Sequence, residues 1–280
     1  MNMKDIRTYF RNSFKNFLNA LYLKSLRSAI AEQKLSQLYL ELEKIVPDIS
    51  EQYSCFKLDS EYLVTNVRGM HSFQISLTNE AISMTNKTPL TIVDIGDSSG
   101  THIQYINGIH KNIKCLSVNL DMTAVNKIKA KGLEAIFSRA EDLHNHSITA
   151  DIFLSFEMLE HLTDPIRFLH QLSEKTSCQY FVVTIPFIRK SRVALHHIRQ
   201  NIRMDKSAEN THIFELSPDD WKLIFKHSGW DIASEKIYYQ YPRKNILWFM
   251  KYFWRSSDYE GFYGAILKRD NTWSNLYKDW

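Results

Sequence analysis

The sequence predicts an α/β fold in which a mainly parallel sheet is flanked by helices and preceded by a helical extension. Three observations carry this. Seven short runs rich in Val, Ile, Leu and Phe, at 90–95, 113–120, 133–137, 150–156, 180–186, 231–239 and 261–267, have the length and composition of buried strands, and most are separated by helical patterns. The first run ends in an acid and a loop holding two of only 8 glycines in the chain. Residues 1–88 instead carry their apolar side chains mainly at helical spacing. The expected layout is a helical extension over 1–88, a sheet domain over 89–270 with insertions at 187–210 and 242–258, and a tail over 271–280.

At 280 residues with 44% hydrophobic side chains and a mean hydropathy of -0.33, the chain can bury a full core and reads as neither disordered nor membrane-spanning. A net charge of +4 is too mild to argue for nucleic acid without a clustered basic face. Cys55, Cys115 and Cys178 lie far apart with no C-x-x-C spacing, which argues against a disulfide framework or a zinc site and for a reducing, cytoplasmic setting.

Residues 1–30 place Ile6, Phe10, Phe14, Phe17, Leu18 and Leu21 at helical spacing against Lys4, Arg7, Arg11, Lys15, Lys24 and Arg27. No apolar core of signal-peptide length follows, so the expectation is a retained basic amphipathic helix. It would either pack with its charged side in water or rest on an anionic membrane surface, at the inner face of a membrane. Leu35, Leu38, Leu42, Ile45 and Val46 form a second helix stopped by Pro47. From Ser60 to Asn86, Leu63, Val67, Met70, Phe73, Ile75 and Leu77 predict one or two further helices, interrupted near Gly69.

Leu90, Ile92, Val93 and Ile95 then make a strand buried on both faces, followed by the loop Gly96-Asp97-Ser98-Ser99-Gly100 and a helix carrying Ile103, Ile106 and Ile109. Small residues let a ligand approach the main chain, and the helix start favours a carboxylate or phosphate. A second strand over 113–120 and a helix through Ala124, Val125 and Ile128 complete a β-α-β unit. The third strand leads into Ser138-Arg139-Ala140-Glu141-Asp142-Leu143, and the fourth into Phe156-Glu157-Met158-Leu159-Glu160-His161, with Asp164-Pro165 opening a helix. The fifth strand ends at Pro186. Beyond it, 187–210 is irregular and basic, Ser217 is placed to cap a helix, and the last two strands flank an aromatic insert holding Trp248, Phe249, Tyr252, Phe253 and Trp254.

Two stretches carry a family resemblance. Asp94-Ile95-Gly96-Asp97-Ser98-Ser99-Gly100 resembles the D/E-x-G-x-G-x-G motif of class I S-adenosylmethionine-dependent methyltransferases, with Ser98 at the central glycine. Asp151 through Pro165 resembles the D-hydrophobic-hydrophobic-x-S-x-E-V-L-E-H-hydrophobic-x-D-P run of small-molecule members. The resemblance covers about 88–269 and implies a seven-stranded Rossmann-like sheet, mostly parallel with an antiparallel last strand. It implies S-adenosylmethionine as cofactor: Asp94 with Gly96, Ser98 and Gly100 at the methionine end; Asn119, Leu120 or Asp121 at the ribose; Ala140 with Glu141 or Asp142 at the adenine; Phe156 and Glu157 at the mouth. Asn119 departs from the usual acid and forfeits its charge-assisted bond.

The same resemblance offers Arg68, His71 and Gln74 as weak pocket candidates against the plainer reading of an ordinary polar helix face. No metal constellation shows in the spacing, so His161 or His212 is the expected catalytic base. The expected partner is a small-molecule acceptor, such as a sugar or surface-glycan precursor. The basic insertion would suit an anionic acceptor or simply be a solvated charge run. Segment 244–255 offers a second route to peripheral membrane contact, or a packing surface. Two other classes compete: an NAD(P)-dependent oxidoreductase or epimerase, disfavoured by the missing third glycine, and a membrane-associated scaffold with a degenerate core.

Overall fold

The computed structural model describes residues 3–53, 56–146, 148–256 and 259–277, with the side chains of 3–16, 144 and 209 outside the description. The chain forms α1 (Met3–Glu32), α2 (Ser36–Ile45), α3 (Glu61–Met84), β1 (Leu90–Ile95), α4 (Thr101–Ile109), β2 (Ile113–Asn119), α5 (Met122–Ala130), β3 (Glu134–Phe137), β4 (Ile152–Phe156), α6 (Pro165–Lys175) and β5 (Tyr180–Pro186). Then come β6 (Arg192–Val193), α7 (His196–Arg199), β7 (Phe214–Glu215), α8 (Pro218–His227), β8 (Trp230–Tyr239), α9 (Lys251–Ser256) and β9 (Gly261–Arg269).

Seven strands make one sheet in the order β3-β2-β1-β4-β5-β9-β8. The pairs β1–β2, β1–β4, β2–β3 and β4–β5 are parallel, and β9 runs antiparallel to both β5 and β8. Six strands therefore share a direction and β9 opposes them. Strand order reverses between β1 and β4, the switch point at which open α/β sheets take their ligands.

Alternating side chains divide the core between the two faces of the sheet. Ile92, Leu154, Val182 and Ile266 meet Phe73, Leu77 and Tyr105 on the α3 and α4 side, while Val93, Phe153, Phe181 and Leu267 meet Phe168, Leu169, Trp221 and Phe225 on the α6 and α8 side. Both later helices start as the sequence predicts. Asp164 caps α6 by accepting from the Arg167 amide at 2.9 Å, and Ser217 caps α8 by accepting from the Asp220 amide.

The predicted interruption at Gly69 does not occur: α3 runs unbroken for 24 residues. The glycine serves close approach instead, because a Cβ there would lie 2.5 Å from Tyr238 Oη and 2.9 Å from Ile30 Cδ1. Nor is the polar set of α3 an ordinary solvated face. Arg68 is fully buried, and its guanidinium donates to the carbonyls of Val46 and Pro47, each at 2.8 Å, tying α3 to the end of α2.

The irregular 187–210 segment contributes one strand of a two-stranded ribbon, β6 paired with β7. Three of its four arginines are engaged within the protein: Arg189 with Glu260, Arg192 with Glu215, and Arg199 with the carbonyls of Val193 and Ala194. In the aromatic insert, Leu247, Met250 and Trp254 pack with Leu26 of α1 and Tyr241, while Ile246, Trp248, Tyr252 and Phe253 face outward. The side-chain pattern expected for residues 3–16, and Cys55, lie outside the described residues; Cys115 and Cys178 are buried and free. Among the described residues no helix is long and apolar enough to cross a membrane.

Candidate active site

A cavity of about 580 Å³ opens at the carboxyl ends of β1, β2 and β4. Its floor is the loop after β1. Gly96 adopts φ +99°, accessible to glycine at little cost, and its amide donates to the Val118 carbonyl at 2.8 Å. Ser98 lines the cavity beside it. Gly100, at φ +76°, starts α4 and packs on Ile128 and Leu133 rather than on the cavity.

The inner side of the loop is fastened by the protein itself. Asp97 Oδ1 accepts from the Thr101 amide at 3.2 Å, so the first turn of α4 is partly satisfied from within. Gln52, from the connection between α2 and α3, accepts through Oε1 from the hydroxyls of Ser99, at 2.8 Å, and Thr101. Lys131 Nζ donates to the Ser99 carbonyl at 2.6 Å. Gln52, Tyr53 and Phe56 also line the cavity and roof it over.

Behind the loop runs a buried polar chain absent from the sequence reading. Asp94 Oδ2 stands 3.2 Å from His102 Nδ1, His102 Nε2 stands 3.0 Å from Gln74 Oε1, and Gln74 Nε2 donates to Thr184 Oγ1 at 3.0 Å. Because the Gln74 oxygen only accepts, His102 carries a proton on Nε2, and its Nδ1 faces the Asp94 carboxylate. Burial pushes Asp94 up to about 6, with the Asp97 charge adding to it and His102 opposing. Burial alone would depress His102, but its bond to Asp94 and the charges of Asp97 and Asp94 raise it. His71 packs edge-on against His102 at 4.8 Å with neither ring nitrogen hydrogen-bonded, and burial, then His102 and Arg68, hold it well below its ordinary value.

At the end of β2 the three candidates separate. The Asn119 amide is committed to the backbone: Nδ2 donates to the Asp97 carbonyl at 3.1 Å and Oδ1 accepts from the Asp121 amide at 2.8 Å. Asp121 caps α5 through one oxygen, accepting from the Thr123 amide at 2.8 Å, and lines the cavity together with the half-exposed Leu120. On the next loop Ala140 and Glu141 line the cavity and Asp142 does not.

Phe156, Glu157, Met158 and His161 close the far end, joined by Ser207, Ala208 and Asn210 from the insertion. Glu157 takes the left-handed conformation, φ +52°, a strained position for a side chain of this kind. Burial and neighbouring Glu160 hold its carboxyl well above the carboxylate range, and burial brings Glu160 to about 7 despite the opposing charge of His212. His161 is pushed down to about 4 by burial and by His212, against the Thr211 and Ala208 carbonyls. His212 does not line the cavity. It packs on the His161 ring at 4.7 Å and donates from Nδ1 to Glu215 Oε1 at 3.0 Å.

Of the predicted residues, Gly96, Ser98, Asn119, Leu120, Asp121, Ala140, Glu141, Phe156, Glu157 and His161 line one cavity, while Asp94, Gly100, Asp142 and His212 do not. His71 and Gln74 reach the lining and Arg68 does not. The sequence reading missed Gln52, Tyr53, Phe56 and His102. Only His102 had a local signal, a titratable residue in the first turn after the glycine loop.

No family model matches the sequence, and neither does any curated protein. Solved structures do match in fold. Coclaurine N-methyltransferase bound to N-methylheliamine and SAH superposes with a TM-score of 0.56 at 15% identity, covering 96% of this chain and 95% of that one. Magnesium protoporphyrin IX methyltransferase from Synechocystis PCC 6803 with bound SAH gives 0.53 at 10% identity, covering 84% and 95%. With the strand order, the reversed β9 and the cavity at the β1–β4 switch point, these matches identify the fold of this chain as that of the class I S-adenosylmethionine-dependent methyltransferases.

Proposed function

We propose that this protein is an S-adenosylmethionine-dependent methyltransferase acting on a small-molecule acceptor. The observation that supports this most directly is the placement of the Gly96–Ser98 bend and Asp121 at adjacent strand ends, opening on a cavity large enough for a cofactor and part of an acceptor. The residues suit that cofactor. A Cβ on Gly96 would press on Met158 Cγ at 3.2 Å, so the bend is kept narrow on the ligand side. Asp121 keeps a carboxylate oxygen for ribose hydroxyls, and Glu141 with the Ala140 backbone suits the adenine edge.

When bound, S-adenosylmethionine supplies a methyl group that is already electrophilic, which leaves alignment and proton removal to the protein. The loop held by Gln52, Asp97 and Asn119 fixes the floor. The Asp94–His102–Gln74–Thr184 chain anchors β1, α4, α3 and β5 to one another behind it. Tyr53 and Phe56 keep water from above, and His161 meets the acceptor at the far end, with His212 and Glu215 setting its ring.

Calorimetry tests the proposal. S-adenosylmethionine and SAH should bind and NAD should not. Gly96→Val, which adds a branched side chain at positive φ, should abolish binding while the circular dichroism spectrum is retained. NAD binding in place of the sulfur ligands would favour the oxidoreductase class, and no binding at all would leave a scaffold.

A further inference from the structure

We propose that Glu160, His161 and His212 form a site for one divalent transition-metal cation at the acceptor end of the cavity. The three residues come from two separate stretches of the chain, brought together where the Ile213 amide donates to the Glu160 carbonyl at 2.8 Å. Each offers a ligand atom, and these atoms lie within 4.8 Å of one another. Tetrahedral coordination at about 2.0–2.1 Å puts donors about 3.4 Å apart, so side-chain rotations of roughly an ångström bring the set to ligand spacing.

The surroundings prepare both imidazoles for this role. His161 donates from Nδ1 to the Thr211 carbonyl at 3.0 Å, and His212 from Nδ1 to Glu215 Oε1 at 3.0 Å. Nδ1 is thereby the protonated nitrogen of both rings, and Nε2 carries the lone pair. Second-shell carbonyls and carboxylates orient metal-bound histidines in this way. Glu215 is itself fixed by Arg192 Nε at 2.6 Å.

Glu160 supplies the independent sign of a missing ligand. It is 1% exposed, and neither carboxylate oxygen has a hydrogen-bond partner. Its Oε1 lies 3.9 Å from His161 Nε2. An unpartnered carboxylate beside imidazole lone pairs is costly to bury, and a cation satisfies all three groups together. Two histidines and one carboxylate favour a first-row transition metal over magnesium and leave one coordination position for water or an acceptor oxygen. A second acidic–histidine cluster, Asp94, Asp97 and His102, lies in the buried chain behind the glycine loop and supplies only one imidazole, whose Nε2 faces Gln74 Oε1.

Only the orienting of an acceptor by this cation rests on the methyltransferase reading; the site itself does not. Chelator-treated full-length protein should bind one equivalent of Co²⁺, with visible d–d absorption of tetrahedral type, and Zn²⁺ should displace it in calorimetry. Glu160→Gln and His212→Ala should each weaken Co²⁺ binding at least tenfold, Glu215→Ala should weaken it about 10–100-fold, and the exposed His146→Ala should leave it unchanged. Should His212→Ala fail to fold by circular dichroism, Glu160→Gln, which keeps the side chain's size, carries the test. No stoichiometric Co²⁺ binding, or binding indifferent to Glu160→Gln, overturns the site. SAH titrated into the same protein separates the two readings: SAH binding without cobalt sinks the cation site alone, and cobalt binding without SAH sinks the methyltransferase reading alone.

Discussion

Asn119 shows how a single side chain can be diverted from the role its position implies. The amide bridges the Asp97 carbonyl and the Asp121 amide, one donor and one acceptor. Asn119→Asp, which restores the acid usual at this point, should therefore not improve cofactor binding. It sets a carboxylate against a carbonyl and should destabilise the fold by about 1–3 kcal/mol in urea unfolding. His71 gives a second residue-scale expectation. Its folded value is far below 6.5, so below that pH the unfolded chain takes up a proton that the folded one refuses, and stability falls as pH drops from about 6.5. The loss approaches about 1.4 kcal/mol per pH unit. His71→Phe should flatten the slope of unfolding free energy between pH 6.5 and 5 by close to one proton.

Among elements, α3 and the loop after β1 carry most of the consequence. Gly69→Ala adds up to ~1 kcal/mol of helix propensity, yet its methyl would meet the buried Tyr238 hydroxyl. A net loss of about 1–3 kcal/mol is expected in thermal or urea unfolding, as for overpacked cores generally. Gln52→Ala takes a buried acceptor from the hydroxyls of Ser99 and Thr101 and should lower the unfolding free energy by about 1–3 kcal/mol in urea and weaken SAH binding by roughly 5–10-fold in calorimetry. The strands themselves were legible, because burial on both faces demands continuous β-branched runs and leaves a pattern in adjacent residues. The glycine bend was legible for a similar reason. Gln52 and His102 were not, since their meaning comes from contacts 28 to 49 residues apart, and the break expected at Gly69 failed because a glycine needed for closeness looks the same as one needed for a turn.

At the level of the whole molecule, two clusters divided by the sheet fix the strand ends, and the N-terminal helices bury Arg68, His71 and Gln74 against them. Sequence patterns placed the sheet and its helices but could not place His212 beside His161, because the β6–β7 ribbon that aligns them consists of two-residue strands with no recognisable period. The roof over the cavity follows the same division of labour: the floor belongs to the sheet, whereas Gln52, Tyr53 and Phe56 belong to the connection joining α2 and α3. On the methyltransferase reading, a guest held between them touches both parts, so trimming Tyr53 or Phe56 to alanine should shorten its stay, which stopped-flow release of SAH measures, while the strands keep their pairing.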